Sequence, residues 1–98
     1  MTSVEAGLRS LVARGFRFQH IADRQGELTI IVGTYGWPGC CDRIEIHGEH
    51  EASAVRTSAE TVAWSQDGDT LSVIAALLEL PPPAEPSFVD SAGRAGSP

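Results

Sequence analysis

Cys40, Cys41, His47 and His50 are the residues whose chemistry would matter most if they met, because two thiols and two imidazoles are the ligand types of a zinc centre. Their spacing argues against one. On a single strand Cys41 and His47 would lie about 20 Å apart at ~3.3 Å per residue, whereas zinc holds its ligands within ~2.3 Å. Only a bend in the strand, or ligands from a second subunit, would bring them together. Cysteine with histidine also raises nucleophilic catalysis, but a thiolate needs a base and an orienting group nearby, and nothing local supplies them. A disulfide between adjacent cysteines would close a strained ring, so both read as reduced thiols. His20, on a face with Phe16 and Phe18, reads as a core histidine. No catalytic residue, metal or cofactor is assigned, and the chain is read as non-enzymatic.

Three other stretches invite a function. The loop Gly33-Thr34-Tyr35-Gly36-Trp37-Pro38-Gly39 holds no phosphate-cradle spacing, yet Tyr35 and Trp37 present large rigid area at low entropic cost, as interaction surfaces do. The plainer alternative is a wide hairpin turn whose Trp37 closes the core. Asp67-Gly68-Asp69 lacks the later acids of a calcium loop and reads as a helix start. Arg9, Arg14, Arg17 and Arg24 would suit nucleic acid, but Arg9 and Arg14 face different directions on a helix, and pairing with the chain's own acids is the simpler expectation.

The elements that must position these residues are legible from periodicity. Thr2 to Arg14 is expected to be an amphipathic helix, capped by Thr2 with Glu5 three residues on, its apolar face Val4, Leu8, Leu11 and Val12. Gly7 weakens it by roughly 1 kcal/mol relative to alanine. Gly15 suits the left-handed position after it, with Phe16 folding back onto Leu11. Phe16 to Ala22 alternates as a strand, and Asp23-Arg24-Gln25-Gly26 turns the chain.

Leu28 to Tyr35 is then the central strand, apolar on both faces: Leu28, Ile30 and Val32 on one, Ile31 and Tyr35 on the other, with Gly33 as a gap for close approach. Cys41 to His47 alternates again, its Asp42, Ile44 and Ile46 forming a face that is apolar apart from its first member. His50 to Arg56 is a weaker strand whose Ala52 and Ala54 imply close packing or an edge, and Thr61 to Ser65 is a short one. Thr57 to Glu60 reads as loop or a helical turn. Asp69 is expected to cap a helix, Thr70 to Leu80, that is apolar nearly all round and therefore buried on more than one side. Pro81-Pro82-Pro83 stops it.

Composition bounds the partners. In a chain of 98 residues a formal charge of −6 argues against a general affinity for phosphate backbones, so nucleic acid is disfavoured but not excluded. The charge is polarised: residues 1–24 carry +2 and the remainder −8. No run approaches a signal-peptide core or the ~20 apolar residues of a membrane span, which reads as a cytoplasmic protein with no membrane partner.

The segment VAWSQDGDTLSVIAALLELPPP, with the Gly-Trp-Pro-Gly loop and the GxRF strand before it, resembles small uncharacterised proteins of actinomycetes that end in a leucine-rich helix followed by prolines. The resemblance spans roughly residues 30–83 and implies an actinomycete source. It carries no catalytic residues.

The expected architecture is one α+β domain over residues 1–80: a helix, an antiparallel sheet of four or five strands and an apolar helix, followed by a disordered Pro/Ala/Ser/Gly-rich tail, 81–98. Phe88-Val89 is the apolar pair in that tail. A chain this short owns more apolar surface than it can cover. The reading is a non-catalytic regulatory or protein-interaction domain, a homodimer or the binder of an unidentified protein, with Tyr35, Trp37, Val73, Leu77 and Leu80 as its interaction surface. The alternatives are a nucleic-acid-binding regulator using the arginine-bearing first helix and a small-ligand or metal-binding module.

Overall fold

Ser3, not Thr2, opens the first helix: its hydroxyl accepts from the Ala6 amide at 3.1 Å, in the manner of a serine N-cap. The structure, a computed structural model, describes residues 3–22 and 24–83, the side chains of residues 28 and 29 excepted. Thr2, Asp23, the pair Phe88-Val89 and most of the expected tail thus lie outside the described residues. Helix α1, Val4–Arg14, ends at Gly15, whose φ of 119° lets its amide reach the carbonyls of Leu11 and Val12. The Phe16 amide bonds the Leu11 carbonyl at 3.0 Å, and both side chains enter the core.

Five strands follow: β1 (Arg17–Ala22), β2 (Leu28–Trp37), β3 (Cys40–Gly48), β4 (Glu51–Ser58) and β5 (Thr61–Gly68), and then helix α2 (Thr70–Glu79). Each strand pairs antiparallel with the next, so the sheet order is β1-β2-β3-β4-β5 and the fold is α+β. The strands are longer than their apolar patterns because polar residues pair equally well through the backbone. Ala59 and Glu60 join β4 to β5 with φ of 51° and 65°, a two-residue hairpin rather than a helical turn.

Pairing aligns the side chains in rows across the sheet. One row is Phe18, Gly33, Ile44, Ala54 and Gln66; the next is His20, Ile31, Ile46, Ala52 and Gly68. Gly33 is the expected gap: a Cβ there would stand 2.5 Å from the Phe18 ring. Both helices cover this face, burying Leu11, Ile44, Val73 and Ile74 to 2% exposure or less. Each such side chain contributes roughly 1.5–3 kcal/mol. Ala52 and Ala54 are small because helix α2 lies over β4, an interior strand. Val32 faces the other side of the sheet, paired between Gln19 and Glu45, and is buried there.

Several expectations are corrected. Val12 is 57% exposed, because the buried face of α1 turns through Gly7, which lies against Ile74 of α2, and through Leu11 instead. His20 is exposed: it lies on edge strand β1 rather than in the core. Asp69 does occupy the expected N-cap position of α2, but its carboxylate makes its full hydrogen bond to His50 and only a weaker approach to the Leu71 and Ser72 amides of the first turn. Helix α2, by contrast, is buried on more than one side as expected, toward the sheet and toward α1, through Thr70, Val73, Ile74 and Leu77, and the chain itself supplies that cover.

Candidate functional site

The third row on the helix-covered face is Tyr35, Asp42, Arg56 and Trp64, and it places an ion pair inside the protein. Asp42 is 3% exposed and Arg56 6%. Strands β3 and β4 set the two opposite one another, and the guanidinium then meets the carboxylate with two parallel bonds: Nε donates to Oδ1 at 2.7 Å and Nη2 to Oδ2 at 2.9 Å. Such a bidentate pair is the strong form of the interaction. Trp37, two residues beyond Tyr35 on β2, donates its indole Nε1–H to Asp42 Oδ2 at 2.8 Å. The Asp42 hydrogen bonds hold Arg56 above the ordinary guanidine value, with desolvation acting against them.

The arginine has donors left over, and one is used outside the sheet. Nη1 donates to the Pro81 carbonyl at 2.7 Å, just past the end of α2. Its guanidinium carbon lies 5.7 Å from the centre of the Trp37 ring, within cation–π range. Tyr35 meets Trp37 edge-on at 4.9 Å between centroids and stacks on Phe16 at 5.5 Å. The result is an aromatic platform with a fixed cation at its end. Arg14 of α1 donates to the Leu78 carbonyl at 2.9 Å, so a second arginine from another element bonds the carbonyl end of α2, which has no basic residue in its last turn.

The structure separates the expected interaction residues. Tyr35 and Trp37 are half-buried members of this cluster, and Leu80 is half-buried beside the core. Val73, at 0% exposure, and Leu77, at 3%, are core residues enclosed by the chain itself, so neither belongs to an accessible surface. Apolar area is bare elsewhere, at Val12, at Ile21 (44% exposed) and at Val62 (59%). Val4, Leu8, Ile30, Ile31 and Ile46 line a groove of about 240 Å³.

Asp42 and Arg56 were missed as a site, although a signal existed. Asp42 is the odd member of an apolar face, and Arg56 keeps phase with Ala52 and Ala54 on the next strand. An acid and a base in register on one apolar face mark a buried pair.

The thiols and imidazoles stay apart. Adjacent residues of β3 project to opposite faces, and Cys40 is half-buried while Cys41 is exposed. His47 Nε2 lies 3.5 Å from Glu45, which also pairs with Arg43 at 2.8 Å. His50 Nδ1 lies 2.8 Å from Asp69, whose hydrogen bond raises the imidazole pKa; the same bond lowers that of Asp69, assisted by the imidazolium charge and the Leu71 and Ser72 amides. Among the described residues no three such groups converge as a metal ion would require. Of the arginines, Arg9 pairs with Glu5, Arg43 with Glu45 and Arg56 with Asp42, while Arg14 bonds α2.

No helix among the described residues is long and apolar enough to cross a membrane. No family model, curated protein or solved structure matches the chain.

Proposed function

We propose that this chain is a non-catalytic regulatory or protein-interaction domain, cytoplasmic, acting through apolar surface as a homodimer. The observation that carries the reading is where the uncovered apolar area lies. Both helices cover one face of the sheet, and Ile21 and Val62 on its two edge strands keep 44% and 59% of their surface exposed. Val12 adds a third exposed side chain on α1, and the groove beneath Val4 and Leu8 offers a concave apolar seat. Association that buries such area gains roughly 25 cal/mol per Å², and a small domain has most to gain from it.

Sedimentation velocity across the micromolar range tests this. A dimer is expected to form as concentration rises; a monomer throughout that range overturns the homodimer. Of the arginines that would suit nucleic acid, Arg9 pairs with Glu5 and Arg14 bonds the end of α2, which favours intramolecular roles for these two.

A further inference from the structure

Leu80 leaves helix α2 with φ −66° and ψ 125°, inside the polyproline II region, and Pro81, Pro82 and Pro83 follow. The chain therefore comes off the helix in an extended, proline-built form. The Pro81 carbonyl is held by Arg56, the guanidinium lies over Trp37, and Trp37 is braced by Tyr35 at its edge and by Asp42 at its indole nitrogen. A flat aromatic ring beside a fixed donor for a backbone carbonyl is what proline-rich segments meet when proteins bind them, because the segment is already extended and loses little freedom on docking.

We propose that Tyr35, Trp37 and Arg56 form a receptor for a polyproline II segment, engaged here by the carbonyl of the chain's own Pro81, which a proline-rich segment of a partner protein enters by displacing it. Two features favour a receptor over a purely structural tie. An apolar pair of similar volume would hold the row together at no desolvation cost, whereas the Asp42–Arg56 pair keeps a donor aimed at a carbonyl. That carbonyl is backbone, so nothing in the contact demands this chain's own sequence beyond its extended form. The attached segment competes at high effective concentration and so sets a threshold for the partner.

The inference rests on the reading of the chain as an interaction domain but fails separately from it. A chain that dimerises yet ignores proline peptides keeps the first and loses the second.

The two tryptophans, Trp37 and Trp64, give two indole N–H signals in a nitrogen-15 correlation spectrum of the full chain, and Trp64→Phe assigns them. The probes are the capped peptide LPPPAE and its control LAAAAE. In the full chain carrying Pro81→Gly, Pro82→Gly and Pro83→Gly, the proline peptide is expected to shift the Trp37 signal saturably. Its binding should be about tenfold tighter than to the unaltered chain and about tenfold tighter than that of the control. A Trp37 signal that does not move, or that moves equally with the alanine peptide, overturns the proposal. Should the triple substitution unfold the protein, the unaltered chain decides: the Trp37 signal must move with millimolar proline peptide and not with the control, and a still signal overturns the proposal.

Discussion

Asp42 without its charge would leave the Arg56 guanidinium buried beside a ring and a carbonyl but with no anion. Breaking one side of a buried pair costs about 3–5 kcal/mol, whereas replacing both sides with apolar groups is often neutral. Asp42→Asn is therefore expected to lower unfolding stability in urea by about 3 kcal/mol, and Asp42→Leu with Arg56→Met by clearly less. Equal losses would place the effect in packing rather than charge. His50 and Asp69 are the contrasting case, with side chains 87% and 45% exposed, so solvent screens them. The hydrogen bond raises His50 above 6.5, which gives stability present below that value and lost as pH climbs through the raised pKa. It lowers Asp69 below 3.8, which gives stability present above that value and lost as pH falls through the lowered pKa. Between the two, His50→Gln should slightly reduce the melting temperature at about pH 5.5 and leave it unchanged at about pH 9. Equal reduction at both would mean the ion pair is not the cause.

Gly7 shows how one position can be read correctly at the level of a helix and wrongly at the level of two. As a helical glycine it costs roughly 1 kcal/mol, but a Cβ there would stand 2.9 Å from Ile74 Cγ2, a methyl on a β-branched side chain that cannot swing aside. Gly7→Ala should therefore destabilise by about 1–3 kcal/mol in the native chain. In an Ile74→Ala background the same change should stabilise, by about 1 kcal/mol, and chemical denaturation of the four proteins closes the cycle. A loss of the same size in both backgrounds would remove Ile74 as the obstacle. Periodicity made most elements legible: the alternation of Asp42, Ile44 and Ile46 names the face that is buried, and Gly15 marks where α1 ends. Contacts between elements were not legible in that way. Val12 shares the helical period of Leu11 yet is exposed, because only the way α1 packs against α2 decides between them. The turn at Ala59-Glu60 was hidden because neither residue favours the positive φ it adopts. The sequence puts Val73 and Leu77 at a surface because an all-round apolar helix looks unpartnered until α1 and the sheet enclose it.

At the scale of the whole molecule the chain is a meander: every strand pairs with its sequence neighbour, and the two helices sit together on one face. Hairpins of this kind close locally, which favours rapid assembly, but they tolerate sliding where a strand is small and polar. Strand β4, with Ala52, Ser53 and Ala54, is such a strand. The pair of Asp42 and Arg56 makes sliding costly. Shifted by one residue, the guanidinium or the carboxylate would turn to the opposite face and abandon its mate inside; shifted by two, Arg56 would oppose Ile44 or Cys40. Either decoy would entomb a lone ion once the helices cover that face, so misaligned sheets are disfavoured relative to the native register. The salt link inside this protein thus acts as a proofreading mark for assembly, one that apolar residues of equal bulk would leave unwritten.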